Sequence, residues 1–189
     1  MSGKKLINHQ TTAGFTLIEL LVVVSLSVML MLSASALFLT FLISNTKTSS
    51  TQMVKAEGEY AINQLEFLIR NSTDIITDSI TGEQCEAGMN QLIVKSFDGG
   101  ITAFFAEEDA DGKYKIASNS GTYLTSGAVE LLNAADGTGI TFDCQRVNQD
   151  TPYVTVSFTL RKGTPGIDAD RDVVTQTFST SVSTRSIAF

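Results

Sequence analysis

A single carboxylate, Glu19, heads a run in which no charged residue occurs from Leu20 through Thr46. An ionised acid so placed in hydrocarbon costs several kcal/mol unless it is paired or neutralised. Gly14, which has no side chain, offers a peptidase flexible backbone just upstream. Cleavage after Gly14 would leave a positive α-amine on Phe15, able to neutralise Glu19 of the same chain or of a packed neighbour. The alternative is a lone acid held by the helix dipole and lipid headgroups.

Other chemistry is sparse. The only histidine is His9, ahead of Gly14, so a chain cut there has no histidine-based triad and no histidine-ligated zinc. A carboxylate pair remains conceivable as a catalyst, yet no pocket to hold one is legible. No catalytic residue, no metal ligand set and no cofactor is expected. Glu107, Glu108, Asp109 and Asp111 precede Gly112, and Asp168, Asp170 and Asp172 alternate further on. Such oxygen clusters suit calcium, but neither matches the twelve-residue EF-hand loop, and solvated hairpin tips are the favoured reading.

The segment Gly14-Phe15-Thr16-Leu17-Ile18-Glu19-Leu20-Leu21-Val22-Val23 resembles the class III signal of type IV pilins and of the pseudopilins of type II secretion. The resemblance implies a prepilin peptidase that cuts after Gly14 and methylates Phe15, and a Glu19 that docks subunits into a filament. Its implied partners are other pilin or pseudopilin subunits, the peptidase, an inner-membrane assembly platform, and membrane lipid before assembly. Some pseudopilins bind calcium in a C-terminal loop, which keeps calcium in view for the two acidic stretches. Major pilins commonly carry a proline within the apolar stretch; its absence here points to a minor pilin or pseudopilin. A non-polymerising, single-pass anchored binding domain is the alternative.

The elements that would position these residues are set by hydropathy. The uncharged run exceeds the roughly 20 residues a helix needs to cross a bilayer. Lys4, Lys5 and His9 lie ahead of Gly14 and no acid does, which keeps the N-terminus cytoplasmic and exports the chain beyond about Lys47. An ordinary secretory signal has its cleavage site after the apolar core, whereas the glycine here lies before it, so cleavage leaves the helix on the mature protein.

In the exported part an oxidising compartment allows Cys85 and Cys144, the only cysteines, to form a disulfide. Closing a loop of about 60 residues removes at best on the order of 4 kcal/mol of unfolded-chain entropy. The chain's 13 basic and 20 acidic residues argue against nucleic acid as a partner, since phosphate binding rests on clustered Lys and Arg. Arg161 and Lys162 are the only adjacent basic pair beyond the leader.

Neither Gly nor Pro occurs between Phe15 and Glu57. Beyond Lys47, Val54, Ala61, Leu65 and Leu68 recur at helical spacing among Lys55, Glu59, Glu66 and Arg70, which carries the helix to about Asn71. Fraying is expected in the polar patch over residues 44–51, and Gly58 is a second weak point. Residues 71–90 read as loop.

After that the period changes to two. Val154, Val156, Phe158 and Leu160 alternate with Thr155, Ser157 and Thr159, and Val174, Phe178 and Val182 with Thr and Ser. Residues 91–97, 101–106, 113–117 and 140–144 are further strand candidates; Val129, Leu131 and Leu132 fit strand or a short helix. The prediction is an α+β fold, a long N-terminal helix packed on an antiparallel sheet. It comprises a leader (1–14), a transmembrane and assembly helix (15–46), its amphipathic continuation (47–71) and an extracytoplasmic β-rich domain (72–189).

Overall fold

The computed structural model describes residues 14–76, 86–134, 139–147, 151–170 and 172–184. The fold is α+β: one helix, α1 (Leu17–Arg70), followed by antiparallel strands. It divides into two compact units, Met1–Ser44 and Asn45–Phe189. Helix α1 is continuous through residues 44–51, where the sequence predicts fraying.

In the second unit α1 buries Ser50, Val54, Gly58, Ala61, Leu65 and Ile69, one stripe at three- and four-residue steps. Its exposed side mixes ion pairs, Lys55 with Glu59 at 3.6 Å and Arg70 with Glu66, with the exposed side chains of Met53, Tyr60 and Phe67. The helix stops at Arg70, where the Asn71 side chain donates to the Phe67 carbonyl at 2.9 Å and the chain turns straight into a strand.

That strand, β1 (Ser72–Ile76), corrects the expectation of loop over residues 71–90. The sheet is also not single. Strand β1 opens a five-stranded antiparallel meander with β2 (Gln91–Ser96), β3 (Ile101–Glu108), β4 (Tyr114–Ser118) and β5 (Thr122–Tyr123). The second sheet is built on β8 (Thr151–Lys162), which pairs β6 (Glu130–Leu131), β7 (Ile140–Val147) and β9 (Val174–Ser183). The undecided stretch around Val129 thus resolves to the two-residue β6.

The alternation read in β8 and β9 is realised. Val154, Val156, Phe158, Leu160, Phe178 and Val182 are buried, and the Phe158 and Phe178 rings stack with centroids 5.5 Å apart. On the outer face three hydroxyl pairs cross between the strands: Thr155 with Ser181 at 3.0 Å, Ser157 with Ser179 at 2.9 Å, and Thr159 with Thr177 at 2.9 Å. Leu65 and Ile69 of α1 join Phe104, Phe142 and Ile116 in one core, each large side chain contributing about 1.5–3 kcal/mol by burial.

Candidate functional site: the N-terminal segment

Helix α1 begins where Thr16 can cap it. The Thr16 Oγ1 accepts a hydrogen bond from the Glu19 amide at 3.3 Å, satisfying one of the helix's orphan N–H groups. Thr16-Leu17-Ile18-Glu19 has the Thr-x-x-Glu spacing of a capping box, a signal that the reading of Glu19 as a buried charge overlooks. Its consequence is a fixed start: residues 14–16 are non-helical and α1 opens at Leu17.

Gly14 and Phe15 therefore lie outside the helix. No atom comes within 4 Å of where a Gly14 side chain would begin, and Phe15 is 81% exposed. Glu19 lies in the first turn, where the helix dipole favours a negative charge.

Behind Glu19 the helix is long and apolar enough to cross a membrane, with a mean hydropathy of 2.4 over its best window. Leu, Val, Met and Phe side chains are exposed along it, including Leu21, Met31, Leu37 and Phe41. Its hydroxyls make no demand on solvent. Ser25 donates to the Val22 carbonyl, Ser27 to Val23, Ser33 to Met29, Ser35 to Met31 and Thr40 to Ala36, all at 2.8 to 3.0 Å. Such back-bonding lets polar residues reside in hydrocarbon, where an unsatisfied group costs several kcal/mol.

The first acidic stretch is engaged within its own hairpin. Asp109 Oδ1 accepts from the amides of Asp111 at 2.9 Å and Lys113 at 3.0 Å, while Oδ2 pairs with the Lys115 ammonium. The Lys115 hydrogen bond, and then the Lys113 amide, hold the Asp109 carboxyl below the usual range. Glu108 accepts from the Tyr114 hydroxyl at 3.4 Å; burial first and that carboxylate second push the phenol up.

In the second stretch Asp168 accepts from the Thr164 amide at 2.7 Å, closing its own turn. Asp168 and Asp172 border a cleft of about 310 Å³ that Arg161 and Lys162 also line, with Arg161 paired to Glu130 at 2.8 Å. Among the described residues no group of three or more His, Cys, Asp or Glu is placed to hold a metal ion.

Cys85 lies outside the described residues. Its expected partner, Cys144 on β7, is buried, and the Cys144 amide donates to the Glu86 carbonyl at 2.9 Å. The residue after Cys85 is thus held against Cys144 by a backbone bond.

Residues 10–35 match the family model described as the prokaryotic N-terminal methylation motif. The match spans Gly14, Phe15, Glu19 and the apolar run as far as Ser35, so the chain carries that motif. No curated protein and no solved structure matches the chain.

Proposed function

We propose that this chain is the precursor of a structural filament subunit, of the type IV pilus or type II secretion pseudopilus kind. A prepilin peptidase cuts it after Gly14 and methylates Phe15. The leader is residues 1–14, the membrane and assembly helix residues 15–46, the amphipathic continuation residues 47–71, and the exported β-rich domain residues 72–189. The observation that carries this reading is the coincidence of an open Gly14–Phe15 bond, a capped helix start and a lipid-compatible helix inside a methylation motif.

The mechanism is electrostatic and hydrophobic. Before assembly residues 15–46 reside in the inner membrane with the β-rich domain outside, the orientation set by Lys4 and Lys5. During assembly the α-amine of an incoming Phe15 meets Glu19 of a subunit already in place. An unpaired carboxylate in the apolar filament core is disfavoured by several kcal/mol, so the pairing selects the stagger between subunits. Lipid-facing Leu, Val and Met then pack on neighbouring helices. The subunit needs no cofactor and performs no catalysis; its contacts are other subunits, the peptidase and an assembly platform.

Intact-mass and N-terminal peptide analysis of the protein from native membranes and sheared filaments tests this. The expected product begins at methyl-Phe15. Filaments whose subunits keep Met1 through Gly14 would overturn the proposal, and membrane-only protein with an intact Met1 would instead fit the non-polymerising anchor.

A further inference from the structure

Sheet edges expose rows of unpaired N–H and C=O groups that invite another strand, and proteins guard them by shortness, bulges, charge, proline or cover. Three edges here are guarded. Strand β1 has five residues and a register irregularity between Ser72 and Asp74, and β5 has two residues. The outer edge of β7 is covered by residues 86–89, with Met89 and Phe142 exchanging bonds of 3.0 and 2.8 Å and Cys144 bonding Glu86.

Strand β9 differs. It runs ten residues in unbroken register with β8, contains no proline and no charged residue, and has no second strand among the described residues. The Thr184 amide donates to the Pro152 carbonyl at 3.2 Å, which fixes the phase of the ladder. In an antiparallel ladder alternate residues face the partner, so Thr180, Phe178 and their even-numbered neighbours bond β8. The N–H and C=O groups of Thr175, Thr177, Ser179, Ser181 and Ser183 point away from it.

The sequence of β9 indicates what would pair there. Val174-Thr175-Gln176-Thr177-Phe178-Ser179-Thr180-Ser181-Val182 is a chemical palindrome about Phe178. Reversed and laid against itself, it sets Val174 opposite Val182, Gln176 opposite Thr180, and Thr opposite Ser at both outer-face positions. We propose that β9 is a self-pairing edge that binds β9 of a second copy of this chain antiparallel, centred on Phe178.

Self-pairing joins the two sheets into one and extends the hydroxyl pairs already seen between β8 and β9. Thr177 of one copy faces Ser179 of the other, and the outward backbone groups of both are satisfied. The two-fold axis of such a pair runs through the sheet face and reverses the direction of α1 residues 50–69 in the second copy. The contact is therefore different from the same-direction helix stacking proposed for assembly and does not rest on it; it would bridge oppositely directed chains, such as those of two filaments lying side by side.

The test uses the full chain purified in detergent, as two separate variants, Thr177→Cys and Ser179→Cys, both at exposed outer-face sites. Mixed and oxidised, they are expected to give a disulfide-linked dimer at least several-fold more abundant than either variant alone or the wild type. Equal yields in all samples, or none, overturn the proposal. In unmodified protein, amide exchange at Ser179 should slow with rising concentration while that at Thr180, already bonded to β8, stays constant. Concentration-independent exchange at Ser179 overturns it as well.

Discussion

The ring of Phe178 occupies the space where a side chain at Gly58 would begin: a Cβ built there would lie 2.1 to 2.4 Å from three ring atoms. Helix α1 approaches β9 this closely because residue 58 has no Cβ. Gly58→Ala gains about 1 kcal/mol of helix propensity. It also forces the Phe178 ring off Phe158, and overpacking of this kind costs about 1–3 kcal/mol, occasionally more. Displacement should win, lowering the melting temperature by a few degrees. The same substitution in a Phe178→Leu background should cost less; an equal cost would place the penalty in the helix backbone.

A second tie fixes the other flank of the helix. The Glu57 carboxylate accepts from the Ser126 amide at 2.9 Å and from its hydroxyl at 2.7 Å, across 69 residues of sequence. Hydrogen bonds to a charged group contribute about 1.5–3 kcal/mol when sheltered, and partial exposure puts this pair at the low end. Glu57→Ala is expected to speed amide exchange at Ser126 and its neighbours while leaving the β8–β9 ladder protected. Unchanged exchange at Ser126 would show that the loop holds itself.

Asp109 and Lys115 give the domain an acid-sensitive joint. Their side chains are only 6% and 11% exposed, and Lys115 also lies 5.0 Å from the Tyr123 ring centre. Because the folded carboxyl is held below its ordinary value, its stabilising effect is complete above the ordinary carboxylate range. It is lost as pH falls through the lowered folded value. Asp109→Asn should therefore reduce the melting temperature at neutral pH and approach wild type in strong acid. A deficit that persists undiminished in strong acid would assign the loss to packing rather than to charge.

These contacts mark the limit of what can be read from the chain. The period-two pattern of β8 and β9 is legible because each strand buries one face and exposes the other. Strand β1 is not: its register irregularity breaks the alternation within five residues, and β5 and β6 are too short to show a period. Gly58 reads as a flaw in the helix because its reason, Phe178, lies on the last strand. At the N-terminus Gly14, Phe15 and Glu19 are legible together because their chemistry is local, while the Thr16 cap is hidden beside the more conspicuous acid.

The disulfide expectation has a direct check. The Cys144 amide bonded to the Glu86 carbonyl brings the chain next to Cys85 within reach of Cys144, and a bridge there would staple the covered edge of β7. Protein from an oxidising compartment should be lighter by two hydrogens than its reduced form. Reduction, or Cys144→Ser, should lower stability by at most about 4 kcal/mol. Two alkylatable thiols in native protein would refute the bridge.

Glu19 is where charge and assembly meet. Glu19→Gln keeps the size and hydrogen-bonding capacity of the side chain near the Thr16 cap but removes the negative charge. Helix α1 should therefore still form, insert and present Gly14–Phe15 to the peptidase. What the variant loses is the partner for a neighbour's α-amine, and a cation left unpaired among apolar helices is penalised by several kcal/mol. Cleavage and methylation are expected to proceed at wild-type levels while incorporation into filaments falls at least tenfold. Comparing membrane and sheared fractions by quantitative mass spectrometry reads both at once. Normal incorporation of Glu19→Gln would dismiss the pairing, whereas loss of cleavage would place Glu19 in the peptidase's recognition instead.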